Sequence, residues 1–286
     1  MSYEIHRHLF FLGIIACEST SDPIQETHET EVILRIKHKS TLEILVCAHR
    51  ATVGYLPENS LSAIRESVAL GVDIIELDVR TTADDSLVIM HDHDIDRTTN
   101  GSGYVSSMSY SALQEYFLTH ADSLTNEKIP TLREVLYLTQ NEDVILNLDL
   151  KDVNTHQYYE LLEEFKMQYQ VMSYIWDEEL FWELLEKDSL YAVLPLANTI
   201  QEVRYFNSFV DSKLIHFTEE SYQPEIIEEA KSNGQLIFIN SLWEIDDLFI
   251  DGQTQEMDSL IAHRPAIIQT DYPKELIDYL KQKGLR

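Results

Sequence analysis

Histidine, acidic and basic side chains stand at or near the ends of short apolar runs along this chain. Apolar runs of about four to eight residues are typical of buried strands. Where such strands are parallel, their carboxyl ends meet at one edge, so the side chains there could form a single site. The side chains concerned are His49, Arg50, Glu76, Asp78, His91, Asp92, Asp149 and Lys151.

The acidic members of this set indicate a site for a hard cation. Glu76 and Asp78 lie two residues apart, which places both on the same side of a strand. A carboxylate within an apolar strand is costly to bury unless it is paired or bound to a cation. Asp149 adds a carboxylate from another strand, and such oxygen ligands suit Ca²⁺ or Mg²⁺ rather than Zn²⁺. We therefore expect one divalent metal ion, either Ca²⁺ or Mg²⁺.

The other members supply proton carriers and positive donors. His49 and His91 can exchange protons near neutral pH. Arg50 and Lys151 are donors of the kind that a phosphate group requires. Together the residue types predict metal-assisted phosphoryl chemistry with a histidine acid/base pair.

The charge balance of the chain argues against nucleic acid as a partner. Its 286 residues include 21 Lys and Arg against 50 Asp and Glu, a net charge of −29, whereas each phosphate contact requires a basic residue. A small anionic substrate would also be repelled unless a bound cation reversed the sign locally. Hydrophobic residues make up 44% of the chain, which allows a large core. Two cysteines, Cys17 and Cys47, are too few for a disulfide framework.

Apolar runs alternate with helical segments from Leu42 onward. This alternation is typical of parallel βαβ units. The count is close to eight, so the sequence predicts an α/β fold, a TIM (β/α)₈ barrel without a second domain. Residues 31–38 fit either a strand or an amphipathic helix. The predicted strands are 42–49, 72–79, 87–90, 144–150, 191–196, 213–217, 236–240 and 266–269, and the predicted helices are 60–70, 130–139, 156–168, 178–186 and 224–232.

A series of short motifs resembles the glycerophosphodiester phosphodiesterase family. The resemblance covers roughly residues 45 to 280. Several separate motifs in the right order are far more specific than a single short pattern. The motifs are His49-Arg50, Pro57-Glu58-Asn59-Ser60, Glu76-Leu77-Asp78, His91-Asp92, Arg97-Thr98-Thr99, Ile129-Pro130-Thr131-Leu132, Asp149-Leu150-Lys151 and Thr270-Asp271-Tyr272-Pro273.

The resemblance implies a TIM barrel that hydrolyses glycerophosphodiesters to sn-glycerol 3-phosphate and an alcohol. In this family the substrate's own glycerol hydroxyl serves as nucleophile, and water then opens the cyclic phosphate. The resemblance also implies a small cap, inserted after the second main strand at about 93–128, that covers the glycerol end. By the family pattern, Glu76, Asp78 and Asp149 hold the divalent metal, His49 and His91 are general acid and base in an unassigned order, and Arg50 and Lys151 contact the phosphate.

The sequence departs from the family pattern at two positions. Ala51 stands where Gly usually follows His-Arg, and Ala there costs free energy if the backbone requires a positive φ. Asp149 stands where Glu is usual, so its shorter side chain leaves the ion preference open. Neither change removes a chemical group, and activity is expected.

Three further charged residues are expected to support the site. Glu58 is either a neighbour of the metal ligands or part of the start of a helix. Asp92 follows His91 directly. Arg97 is predicted to hold the cap by hydrogen bonds rather than to take part in catalysis.

Three uncharged residues are assigned structural or lining roles. Asn59 and Ser60 are predicted to be helix caps. Trp243 is predicted to lie in the core or at the barrel rim, and because it follows a predicted strand it is also a candidate lining residue of the substrate pocket.

The amino end resembles a bacterial lipoprotein signal. Residues 9–16 are apolar, Cys17 follows at once, and residues 18–30 are polar and contain a proline, as a tether would. The alternative is a short amino-terminal helix with a buried cysteine. No run of 18 or more apolar residues predicts a transmembrane helix. The predicted division is a lipoprotein signal at 1–17, a tether and lead-in segment at 18–40 and the barrel at 41–286.

The lipoprotein signal predicts location in a bacterial cell envelope, in the periplasm or on the outer surface. The protein would then be anchored to the membrane through a lipid on Cys17 and would otherwise be cytoplasmic. Two alternatives for function stay open. One is a phosphodiesterase specific for lysophospholipids or glycerophosphoinositol on the same site, and the other is a non-catalytic ligand-binding lipoprotein.

Overall fold

The structure is a computed structural model that describes residues 31–52, 54–175, 178–209 and 213–286. The predicted lipoprotein signal, Cys17 and the first part of the predicted tether lie outside the described residues. Over the described ranges, no helix is long and apolar enough to cross a lipid bilayer.

Strands and helices alternate along the described chain. The strands are β1 (Leu45–Ala48), β2 (Ile74–Thr81), β3 (Leu87–Ile89), β4 (Thr119–His120), β5 (Ser123–Leu124), β6 (Ile145–Asp152), β7 (Val171–Ile175), β8 (Ala192–Leu194), β9 (Leu214–Phe217), β10 (Leu236–Asn240) and β11 (Ile267–Thr270). The helices are α1 (Glu31–Ser40), α2 (Leu61–Leu70), α3 (Tyr110–Leu113), α4 (Leu132–Thr139), α5 (Thr155–Phe165), α6 (Glu178–Lys187), α7 (Ile200–Phe209), α8 (Pro224–Ser232), α9 (Glu244–Ile250), α10 (Gln255–Ala262) and α11 (Pro273–Gln282).

Eight parallel strands of the described chain form a barrel, which confirms the predicted TIM fold. The ring runs β1-β2-β6-β7-β8-β9-β10-β11 and returns to β1. A parallel bridge between Leu196 and His216 closes it between β8 and β9. Because every barrel strand runs the same way, the polar ends predicted from the sequence meet at one mouth.

The predicted count of barrel strands contained two errors that cancelled: the strand predicted at 87–90 forms but is not part of the barrel, and one barrel strand was missed. The run 87–90 becomes β3, which pairs antiparallel with β2 and lies outside the barrel ring. Strand β7 was not predicted, because Ser173 and Tyr174 interrupt its apolar run. Inside the protein the Ser173 hydroxyl is bonded to the phenol oxygens of Tyr158 at 2.9 Å and Tyr191 at 2.7 Å. A buried serine is therefore tolerated in this strand.

Alternation along the strands divides the core into two layers. Residues such as Val46 and Leu77 point outward and pack under the surrounding helices. Their neighbours, such as Leu45 and Ile74, point into the barrel and fill its lower half. In the upper half, the inward positions are the ones that carry charged and polar side chains.

Helix α1 closes the bottom of the barrel. Val32, Ile33 and Ile36 are fully buried and belong to the same apolar cluster as the inward residues of the strands. Of the two alternatives for residues 31–38, the helix is therefore correct. The end of the predicted tether and lead-in segment is part of the folded body.

The cap, residues 93–128, lies between β3 and α4 and has a small core of its own. Ile95, Val105, Leu113 and Leu118 are buried together with residues in and directly after β3. Strands β4 and β5 pair antiparallel within it. The insertion thus extends the barrel without adding a strand to it.

We expect Ile33→Ala to lower the free energy of unfolding by about 2–5 kcal/mol, because a fully buried isoleucine is replaced by a cavity. Leu34→Ala on the same helix is the control, since Leu34 is 51% exposed and its loss should change stability by less than about 0.5 kcal/mol. Urea unfolding measures both values. Equal effects of the two substitutions would contradict the packing of α1 against the barrel.

Candidate active site

A cleft of about 260 Å³ opens at the carboxyl ends of the barrel strands. Strands β2 and β6 are paired so that Asp78 lies beside Asp149 and Glu76 beside Asn147. This register brings the inward side chains of both strands to the same level. Seven side chains predicted to carry the chemistry line this cleft: His49, Arg50, Glu76, Asp78, His91, Asp149 and Lys151.

Three carboxylates form the base of the cleft, and we call Glu76, Asp78 and Asp149 the carboxylate cluster. One oxygen of each lies within 4.8 Å of the others, and all three residues are buried. Burial and the neighbouring carboxylates raise the pKa of Glu76 well above its usual range. Three buried oxygen donors this close together fit a hard divalent cation, which would offset the repulsion that raises this pKa.

Lys151 partly compensates the charge of this cluster. Its Nζ donates to Asp149 Oδ2 at 2.5 Å and lies 3.1 Å from Asp78 Oδ1. Burial alone would lower the pKa of Lys151, but the two carboxylates outweigh it and raise that pKa. In the same way, Lys151 and His91 hold the pKa of Asp78 below its usual value despite burial. The charged ammonium group of Lys151 is therefore held in direct contact with the carboxylate cluster.

Arg50 contributes both its backbone and its side chain. Its backbone N–H donates to Glu76 Oε2 at 2.7 Å, and its Nε lies 3.7 Å from Asp78 Oδ2. To make these contacts the chain turns sharply after β1, with φ of 50° at Arg50 and 54° at Ala51. The position that usually holds Gly in the resembling family thus does require a positive φ here. Ala tolerates it at a cost of about 1–2 kcal/mol.

Each of the two histidines is held by an aspartate through the same ring nitrogen. His49 Nδ1 donates to Asp271 Oδ1 at 2.8 Å, and His91 Nδ1 donates to Asp92 Oδ1 at 2.6 Å. A carboxylate on Nδ1 fixes the ring orientation and leaves Nε2 as the nitrogen available for proton transfer. The two histidines therefore have equivalent hydrogen-bond arrangements.

Asp271 and the residue that supports it were not predicted as site residues. Asp246 Oδ2 accepts from the backbone N–H of Asp271 at 2.8 Å, and its Oδ1 accepts from Ser241 and Thr270 at 2.7 and 2.8 Å. Burial raises the pKa of Asp246 to about 6. Asp271 belongs to the motif Thr270-Asp271-Tyr272-Pro273, which could have identified it, whereas Asp246 lies in an acidic helix whose sequence is typical of a solvated surface.

Arg97 connects the cap to the rim of the cleft. Its Nη1 and Nη2 donate to Glu58 at 2.7 and 2.8 Å, and its Nε donates to Asp92 Oδ2 at 2.7 Å. Glu58 also accepts from Arg50 Nη1 at 3.1 Å. These arginines outweigh burial and lower the pKa of Glu58, and hydrogen bonding to Arg97 keeps the pKa of Asp92 far below its usual range. The structure thus places Glu58, Asp92 and Arg97 in one network that ends at His91.

Of the two predicted helix caps, Ser60 is correct and Asn59 is wrong. Ser60 is the N-cap of α2, because its Oγ accepts from the backbone N–H of Ala63 at 3.1 Å. Asn59 instead donates from Nδ2 to Asp78 Oδ2 at 2.9 Å, with its backbone at a φ of 57°. Asn59 therefore orients a member of the carboxylate cluster rather than a helix end.

The wall opposite the carboxylate cluster is mostly aromatic and apolar. His216 is buried with its ring edge-on to Tyr174 and Phe238, each at a centroid distance of 5.1 Å. Burial lowers the pKa of His216 to about 4. Trp243 lines the cleft and is exposed, so it lies at the rim and not in the core. None of the described residues that line this cleft belongs to the cap.

Comparison with known proteins agrees with this geometry. A model of the glycerophosphoryl diester phosphodiesterase family matches residues 49–238. The chain is similar to a glycerophosphodiester phosphodiesterase of Caldanaerobacter subterraneus, with 29% identity over 255 residues that cover 85% of this chain and 100% of that protein.

Two solved structures show the same fold. A glycerophosphoryl diester phosphodiesterase of Parabacteroides distasonis has a TM-score of 0.77 and 23% identity, covering 89% of this chain and 93% of that chain. A phosphodiesterase of Oleispira antarctica, solved in complex with the product sn-glycerol-3-phosphate, has a TM-score of 0.69 and 20% identity, covering 84% and 98%.

We expect Glu76→Gln to stabilise the metal-free protein and to abolish its stabilisation by divalent cations. The first effect follows because the charged form of Glu76 is disfavoured by burial and by its neighbours. The second follows because a ligand is lost, whereas the wild type should gain about 2.7 kcal/mol at a metal concentration of 100 Kd. Thermal unfolding with EDTA, Ca²⁺ or Mg²⁺ measures both effects.

Glu115→Gln is the matched control, since Glu115 is an exposed carboxylate on the cap. This variant should keep the wild-type response to metal. If Glu76→Gln is stabilised by divalent cations as strongly as the wild type, the carboxylate cluster is not the metal site.

Proposed function

Because the chain belongs to the glycerophosphoryl diester phosphodiesterase family, we propose how its site performs metal-dependent hydrolysis of a glycerophosphodiester to sn-glycerol 3-phosphate and an alcohol. The observation that carries the proposal is the single cleft lined by the carboxylate cluster and by two histidines, each bonded to an aspartate. Such a cleft has both a site for a cation and two groups that can move protons.

The carboxylate cluster would hold the divalent ion, which we propose to be Ca²⁺ or Mg²⁺. When bound, the ion offsets negative charge on the phosphoryl oxygens of the substrate. Arg50 and Lys151 add positive charge on the same side of the cleft. They therefore attract the phosphate in a protein whose net charge of −29 would otherwise repel it.

The two histidines divide the proton transfers. Nε2 of one histidine takes the proton from the glycerol hydroxyl next to the phosphoester, as that oxygen bonds to phosphorus. Nε2 of the other, protonated, gives its proton to the alcohol oxygen as its bond to phosphorus breaks. Water then opens the cyclic phosphate with the two histidines in exchanged roles, which returns both to their starting states.

Four residues position these groups without contacting the reacting atoms. Asp271 and Asp92 orient His49 and His91 through Nδ1. Arg97 holds Asp92, and Glu58 joins Arg97 to Arg50. The aspartates also stabilise an imidazolium when it forms, as carboxylates do beside catalytic histidines.

We expect His49→Ala and His91→Ala each to lower kcat for glycerophosphocholine by about 10²–10⁴-fold, because each removes one proton transfer. Glycerophospho-p-nitrophenol distinguishes their roles, since its leaving group departs without a general acid. The variant that lacks the acid should lose much less activity on this substrate than on glycerophosphocholine. Release of the alcohol is the measurement.

His93→Ala is the control, because His93 is two residues from His91 in the chain and its side chain is 69% exposed and does not line the cleft. It should stay within about twofold of the wild type. Paired histidine catalysis is contradicted if His93→Ala loses as much activity as the other two variants, or if both active-site variants lose the same factor on both substrates.

The structure bears on the two alternatives for function. An apolar cap at the cleft would have favoured a lysophospholipid substrate, but no described lining residue comes from the cap. A protein that only binds its ligand has little use for two histidines held by aspartates. Neither alternative therefore replaces the proposed hydrolysis.

The proposed location is a bacterial envelope, with a lipid anchor on Cys17. The support is the apolar segment that ends at this cysteine and the polar segment that follows it.

We expect Cys17→Ser to abolish incorporation of a labelled fatty acid in a bacterial host, while the activity of the purified protein is unchanged. Cys47→Ser is the control, because Cys47 is buried in β1. Labelling that persists in Cys17→Ser would contradict the anchor.

A further inference from the structure

The cleft has two walls that differ in charge. In the ring order, β9 lies four places from β2, and β10 lies four places from β6. The loops after β9 and β10 therefore face the carboxylate cluster across the mouth of the barrel. Among the described lining residues, the permanently positive side chains, Arg50 and Lys151, are both on the cluster's wall.

The opposite wall carries an exposed carboxylate. Glu219 follows β9 and lines the cleft. Within the described residues, no lysine, arginine or histidine forms an ion pair with it. Glu220, the next residue, is also exposed but does not line the cleft. Glu219 thus presents an unbalanced negative charge to whatever occupies that end of the cleft.

An exposed tryptophan accompanies this carboxylate. Trp243 is 72% exposed and follows β10, the strand next to β9. Its backbone has a φ of 62° and a ψ of −112°, an unusual conformation for a bulky residue. The Asp247 N–H donates to the Trp243 carbonyl at 2.8 Å and holds this turn at the start of α9. A large aromatic face therefore lies beside the same end of the cleft.

Nothing else described on this wall opposes a positive ligand. His216, the titratable ring nearest its floor, is neutral above about pH 5 because burial lowers its pKa to about 4. The remaining side chains there are uncharged, whether apolar, such as Leu196 and Leu242, or polar, such as Thr218 and Asn240. The protein's net charge of −29 also favours the approach of a cation.

We propose that Glu219 and Trp243 bind the positively charged alcohol group of the substrate, so that the preferred diesters carry an ammonium group such as choline or ethanolamine. An aromatic face beside a carboxylate is the arrangement that recognises quaternary ammonium ions. The proposal rests on the proposed function of the same site. Of the two ends of a glycerophosphodiester, the glycerol is uncharged, so only the alcohol end can supply a positive charge to pair with that of Glu219.

The experiment compares glycerophosphocholine with glycerophosphoglycerol, whose alcohol is uncharged. We expect Glu219→Gln to lower kcat/KM for glycerophosphocholine by about five- to tenfold through KM, and Trp243→Ala by about three- to fivefold. Both variants should keep kcat/KM for glycerophosphoglycerol within about twofold. Trp243→Phe should retain most of the preference, because it retains an aromatic face.

Glu220→Gln is the matched control, since it removes the same charge one residue away and should change neither substrate. An equal loss on both substrates would overturn the proposal, because Glu219 would then bind the shared glycerol. Unchanged kinetics in Glu219→Gln and Trp243→Ala would overturn it as well. If the wild type hydrolyses neither diester, the proposed function fails, which is a result distinct from either of these.

Discussion

The burial of three carboxylates within 4.8 Å of one another is the constraint on which the rest of this site depends. Such a cluster would destabilise an apolar barrel unless positive charge lay close to it. Lys151 and Arg50 supply part of that charge from β6 and from the turn after β1. The remaining repulsion shows in the raised pKa of Glu76, and it is what makes the site suited to a divalent cation.

Meeting this constraint shapes the surrounding backbone and hydrogen bonds. The chain adopts positive φ values at Arg50, Ala51 and Asn59, so that a backbone N–H and a side-chain amide reach the cluster. The ring orientations of His49 and His91 are then fixed by hydrogen bonds to Asp271 and Asp92, which are not members of the cluster. The second of these aspartates is held by Arg97 of the cap, which explains how an insertion that does not line the cleft can still order its rim.

Much of this arrangement could be predicted from the sequence because parallel strands place alternate residues on one side. The spacing of Glu76 and Asp78 was enough to place both in one site, and the barrel followed from the alternation of elements. Strand β7 was missed because buried tyrosines satisfy Ser173, a contact between distant parts of the chain. Asp246 and Asn59 were missed for the same reason, since their partners are set by tertiary structure and not by local spacing.

The central claim is that a divalent cation held by the carboxylate cluster supports cleavage of a glycerophosphodiester. The most direct test removes metal from the protein with EDTA and follows release of sn-glycerol 3-phosphate from glycerophosphocholine as Ca²⁺ or Mg²⁺ is added back. The account predicts no release without metal and a rate that rises to saturation with one of these ions. A full rate in the metal-free protein, or release of glycerol and phosphocholine instead, would contradict it.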